Sequence, residues 1–197
     1  WTENNCPEAN SGDVLYKFEV NSSVANGNIA TAVKDEKVVI TTPAQLTTLI
    51  GGKLEGLASK DSKANNLQFS NGRITYTNDD YGVLVLTLDC RLQEGDIILF
   101  NNYSGSNSRY NYLRHTSYDT EDDQITLNAL KEITDVIQRV DVPAAFAGKT
   151  ELFIVPGDRT TGISYFEIVR SCLVTLDAVS NGGNVGGNDT QVLRSYK

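Results

Sequence analysis

Apolar residues recur at every second position through much of this chain, in short runs cut by turn residues. That period leaves room for little except antiparallel sheet. Val14, Tyr16, Phe18 and Val20 alternate with Leu15, Lys17 and Glu19, the pattern of a strand with one wet face. Comparable runs are Lys37–Thr41, Leu67–Phe69, Arg73–Thr77, Val83–Leu88, Asp96–Phe100, Tyr110–His115, the stretch around Val136 to Val142, Glu151–Val155 and Ile163–Val169. Asn71-Gly72 stands between two of them, the residue pair that supplies the left-handed φ values of a tight hairpin. Helix signals are few. Thr42-Pro43 ahead of Ala44–Ile50 reads as the start of a brief helix stopped by Gly51-Gly52, and Leu127–Ile133 reads as a helical turn. Short strands separated by turn signals every ~8–12 residues predict an all-β fold. For this size the expectation is an antiparallel β-sandwich of jelly-roll topology with one or two short helices.

At 197 residues the chain suits one sandwich domain with a core of its own. Residues 1–11 read as an N-terminal extension, 12–179 as the sandwich, and 180–197 as a Gly/Asn-rich linker with a C-terminal tail. The start at Trp1 and the absence of Met are expected of a segment excised from a longer, multimodular polypeptide. A net charge of −8 argues against a nucleic-acid partner, which calls for clustered Lys and Arg. No run approaches the ~18 apolar residues of a membrane span. A monomer is expected.

Three cysteines are present. Cys90 lies in the apolar run Val83-Leu-Val-Leu-Thr-Leu-Asp-Cys90 and reads as a buried free thiol. Cys6 precedes the first strand and Cys172 follows the last. Antiparallel pairing of those strands would bring the two together, so the alternatives are a Cys6–Cys172 disulfide, implying an oxidising compartment, or two free thiols.

The order of strand sequences carries a resemblance. It runs Gly95-Asp-Ile-Ile-Leu-Phe100, a polar Tyr-containing loop, Arg109-Tyr-Asn-Tyr-Leu-Arg114, Ala147-Gly-Lys-Thr-Glu-Leu-Phe-Ile154, Gly157-Asp-Arg-Thr-Thr-Gly162 and Ile163-Ser-Tyr-Phe-Glu-Ile168. Over about residues 60–172 this pattern resembles the jelly-roll carbohydrate-binding modules of secreted polysaccharide-degrading enzymes. The resemblance is greatest to modules attached to pectate lyases and xylanases of gut and rumen Bacteroidetes-like bacteria. It implies a secreted or cell-surface, non-catalytic module that targets an attached enzyme to plant cell-wall polysaccharide, a β-glycan or a pectin. Many such modules present an exposed Trp to the sugar, and here Trp1 is the only one. Tyrosines would have to replace it.

A sugar ring stacks its C–H face on an aromatic ring while planar polar groups take its hydroxyls. Asn101, Tyr103, Arg109, Tyr110, Tyr112 and Arg114 supply both kinds around one loop, and Asp158 and Arg159 belong to a second loop that jelly-roll edges can bring to the same place. Alternation puts Tyr110, Tyr112 and Arg114 on one face. If Leu113 points inward, they form an exposed stripe. The other reading makes both tyrosines core residues.

No cofactor is expected. Calcium, the one plausible metal, would draw on Glu19 and Glu167 from paired strands and on Asp177. Catalysis has little to stand on: His115 is the only histidine, and no nucleophile elbow or spaced carboxylate pair is present. The enzymatic alternatives are a polysaccharide lyase built on Tyr112, Arg114 and His115, or a glycoside hydrolase using the Asp119–Asp123 acids. A structural or adhesive spacer is the third class.

Overall fold

A computed structural model of the chain describes residues 9–29, 37–57, 67–76, 82–105, 109–121, 123–131, 136–157 and 161–171. In chain order its strands are β1 (Val14–Val20), β2 (Gly27–Asn28), β3 (Lys37–Val39), β4 (Leu46–Ile50), β5 (Gly52–Leu57), β6 (Leu67–Ser70) and β7 (Arg73–Tyr76). They continue as β8 (Val83–Leu88), β9 (Ile97–Ser104), β10 (Arg109–Arg114), β11 (Ile125–Lys131), β12 (Gln138–Asp141), β13 (Glu151–Pro156) and β14 (Thr161–Val169). A single 3₁₀ turn at Ala144–Phe146 is the helical content among the described residues, and none of it could cross a membrane.

The strands form two facing sheets, the β-sandwich expected. In the first, β4, β1, β14, β9 and β12 lie side by side, and β7, β6 and β2 continue from the start of β14. The second runs β3-β5-β8-β13-β10-β11. β11 links the layers: it is antiparallel to β10, while its last residues, Leu130 and Lys131, lie parallel to Tyr103 and Ser104 of β9.

Between the sheets lie Tyr16, Phe18, Ile74, Ile98, Phe100 and Phe166 from one side and Leu54, Leu84, Leu86, Leu113, Leu127, Leu152 and Ile154 from the other. The rings of Phe18 and Phe166 stack at 5.9 Å, with Tyr16 edge-on to both. The Tyr16 hydroxyl donates across the sandwich to the Lys53 carbonyl at 3.0 Å, which satisfies a group that would be costly to bury alone.

Local signals held where the backbone alone decides. Asn71 and Gly72 have φ of 52° and 72°, and join β6 to β7 in a tight hairpin. They failed where tertiary pairing overrides local preference. The helix expected over 44–50 is a strand: Gln45 accepts from the Thr41 amide through its side chain and turns the chain, and Leu46–Ile50 pairs along the edge of β1. Thr47, Thr48 and Ile50 are β-branched and suit that edge. The Thr42–Pro43 bond in the turn is cis. The helical turn expected over 127–133 is likewise strand as far as Lys131, with Ile125 and Leu127 buried at the two-residue spacing of a sheet. Within β1, an irregularity between Val14 and Tyr16 leaves Val14 exposed and turns Leu15 inward.

Cys90 is disulfide-bonded, not the free thiol expected. Cys6 and Cys172 lie outside the described residues. With three cysteines in the chain, a bridge at Cys90 and a Cys6–Cys172 bridge exclude one another, so the expected pairing is corrected.

Candidate functional site

A β-bulge decides what the outer face of the first sheet displays. Along β14, Ile163 lies opposite Asn102 of β9, but Tyr165 lies opposite Asn101, so Ser164 is an extra residue in the ladder. Strict alternation would send Tyr165 to the same side as Ile163, into the core. The bulge reverses the phase, so Phe166 and Ile168 are fully buried while Tyr165 and Glu167 face outward. The half-buried Tyr165 forms part of a cleft of about 500 Å³. Glu19, Arg73, Asn101 and Ser164 share its lining, the Asn71-Gly72 turn and Ser22 stand along one side, and Ile137 stands at another.

The sheet sets the positions of several polar groups in the cleft. Glu19 pairs with Tyr165 across β1 and β14. Asn101 donates its side-chain amide to the Val136 carbonyl at 3.3 Å, tying down the segment that carries Ile137. The Tyr165 hydroxyl donates to the Glu167 carboxylate, and Lys17 places its ammonium 4.9 Å from the ring centre. Desolvation first, and then the bond and charges of Glu167 and Glu19, raise the hydroxyl's pKa well above the usual phenol range, so it stays a donor.

Arg73 reaches Tyr103 across an intervening strand. Gly162 of β14 lies between Thr75 of β7 and Tyr103 of β9. A methyl group on Gly162 would come 2.8 Å from Thr75 Cγ2 and 3.4 Å from Arg73 Cβ and Cδ. The missing side chain therefore leaves the path along which Arg73 lays its guanidinium 3.9 Å from the centre of the Tyr103 ring.

The set expected from sequence is divided by this architecture. Asn101 and Tyr103 belong to the outer face of the first sheet. Leu113 does point inward, so Tyr110, Tyr112 and Arg114 share the outer face of the second sheet. Between the two groups lies a buried polar network: Asn102 donates to the Leu127 carbonyl at 2.7 Å, Asn111 to Asn102 at 2.9 Å, and Thr161 to Asn111 at 2.6 Å. Arg109 is exposed at the start of β10. Tyr110 and Tyr112 pack with ring centres 5.0 Å apart, and Tyr110 presses on Gly157, where a Cβ would meet its ring at 2.7 Å. A hydrogen bond with Tyr110, then burial, pushes the Tyr112 hydroxyl up to about 12.

Arg114, expected to be exposed, is buried. It is engaged by the Gln124 side chain, the Tyr118 carbonyl and Glu121, which removes it as a ligand group. His115 points the other way, with its ring edge-on to core Phe146 at 4.5 Å and Nε2 buried. Tyr112, Arg114 and His115 therefore do not converge, and the lyase constellation is not assembled. Asp158 and Arg159 lie outside the described residues, as does Asp177. Glu19 and Glu167 come onto one face as expected, but Lys17 lies opposite Glu167 and Tyr165 binds it. Among the described residues no cluster of three or more His, Cys, Asp or Glu is placed to hold a metal ion.

Sequence reasoning missed Arg73 and Tyr165. Period-2 alternation gives no warning of a bulge, and only the sheet order brings β7 beside β14. The resulting cleft can stack a ring against tyrosine and offer a carboxylate and a guanidinium to its edge. No family model matches the sequence, and no curated protein matches it. Among solved structures the chain is similar to a carbohydrate-binding module, CBM6cm-2, from Cellvibrio mixtus lichenase 5A in complex with cellotriose. Identity is 9%, coverage is 81% of this chain and 100% of that chain, and the TM-score is 0.39. A likeness that loose decides neither family nor ligand.

Proposed function

We propose that this chain is a non-catalytic carbohydrate-binding module whose ligand occupies the cleft around Tyr165. The observation that carries the reading is the composition of that cleft: an outward tyrosine set among Glu19, Arg73, Asn101 and Ser164. Stacking on tyrosine supplies contact area, and the planar polar groups match vicinal hydroxyls with fixed directions. A volume of about 500 Å³ lies inside the ~300–1,000 Å³ range of small-ligand sites and suits a sugar ring or two held from one side of a chain.

The finer reading is a monomeric, secreted or cell-surface module that delivers an attached enzyme to plant cell-wall polysaccharide. The disulfide at Cys90 favours an oxidising compartment. Affinity electrophoresis against pectins, xylans, mannans and β-glucans tests the reading, run beside assays for new reducing ends and unsaturated uronates. Retardation without product supports the module. Product formation would make the chain an enzyme, and neither result would make it a spacer.

A further inference from the structure

We infer that the cleft takes a sugar carrying an anionic substituent, a carboxylate or a sulfate ester, and that Arg73 binds that group. The inference rests on the glycan-binding reading above and adds the ligand class. Three other arginines in the sandwich are engaged internally: Arg114 by Gln124, Tyr118 and Glu121, Arg139 by Asp141, and Arg170 by the Arg91 carbonyl and Asp96. Arg73 differs. It lines the cleft and meets the face of Tyr103, and among the described residues no ion pair or hydrogen bond ties up its N–H groups.

Stacking uses the face of a guanidinium and leaves its five donors in the plane, the fork that matches carboxylate and sulfate oxygens. The channel over Gly162 holds the side chain in that pose before any ligand arrives, which lowers the entropic cost of binding. Glu19 shares the cleft without pairing to Arg73. A ligand that joins them needs an anion at one end and hydroxyl donors at the other, which an acidic monosaccharide unit provides. Glu19 and the net charge of −8 oppose a run of anions, so the selectivity is for one charged unit at Arg73.

The test is titration calorimetry with four short probes that carry at most one charge: the methyl glycoside of galacturonic acid, its methyl ester, a monosulfated galacto-oligosaccharide and the unsulfated one. Each is titrated into the full chain and into Arg73→Gln, Arg73→Lys and Tyr165→Ala. The expected result is about tenfold or greater preference for a charged probe over its neutral partner. That preference should be lost in Arg73→Gln, partly kept in Arg73→Lys, and weakened as salt rises past ~0.1 M. Whichever charged probe binds tighter assigns carboxylate or sulfate. Equal binding of charged and neutral partners, with Tyr165→Ala weakening both, would overturn the inference and leave glycan binding standing. Binding of none of the four would overturn the inference and leave the reading beneath it to the wider electrophoresis panel, while binding indifferent to Tyr165→Ala would overturn both.

Discussion

Arg73 and Tyr103 occupy strands that are not neighbours, yet the guanidinium carbon lies 3.9 Å from the ring centre, over a glycine on the strand between them. The Tyr103 ring fixes the cation at the cleft wall, and Gly162 makes the crossing possible. That contact accounts for a basic group standing ready on an acidic protein.

Gly162→Ala follows directly. The added methyl falls 2.8 Å from Thr75 Cγ2, so the variant should lose about 1–3 kcal/mol of stability and bind glycan more weakly as Arg73 is displaced. Thr75→Ser removes the obstructing methyl and should restore part of the stability. Denaturant melts of the single and double variants check this. Wild-type stability and affinity in Gly162→Ala would show that the crossing has no role.

Tyr165→Ala should lower the melt only modestly, because the half-buried ring lies outside the core and loses its contacts with Glu167 and Lys17, and should weaken glycan binding by about 0.5–1.5 kcal/mol. Tyr112→Ala, on the outer face of the other sheet, should leave affinity alone. Reversed results would move the site to the Tyr110–Tyr112 pair.

How far this was legible in the sequence depends on which interactions decide each element. Alternation in β1, the short apolar runs of β8 and β9 and the Asn71-Gly72 turn are local, and they identified the sandwich. β4 was misread because Ala44–Ile50 has an acceptable helical pattern, and only the open edge of β1 makes it a strand. The site was half legible. Asn101 and Tyr103 stood out by residue type, while Tyr165 depends on the extra Ser164 and Arg73 on a strand order that no short-range pattern encodes. Arg114 looked available because its partners, Tyr118, Glu121 and Gln124, come from the following loop.

Thiol titration of the unfolded, unreduced chain should find one thiol, and peptide mapping should place Cys90 in the bridge. Cys90→Ser should cost about 2–4 kcal/mol. Three thiols, or a free Cys90, would contradict the corrected pairing.

The pH dependence of stability should carry the signature of His115. Burial first, and then the charge of Lys149, lower its pKa in the folded state, so the unfolded chain binds the proton more readily. The contribution of neutral His115 is complete above the unfolded value of ~6.5 and declines as pH falls from there through the folded value. Between pH 7.5 and 5.5, roughly the window around that value, wild type should lose more melting temperature than His115→Gln. Identical slopes would show that the group is not perturbed.

The most direct test of glycan recognition in the cleft is amide chemical-shift mapping of the labelled chain, titrated with the polysaccharide fragment that affinity electrophoresis selects. The account predicts saturable shifts centred on Glu19, Arg73, Asn101, Ser164 and Tyr165, with β8 and β13 silent. Shifts centred on Tyr110 and Tyr112, or no shift with any fragment, would contradict it.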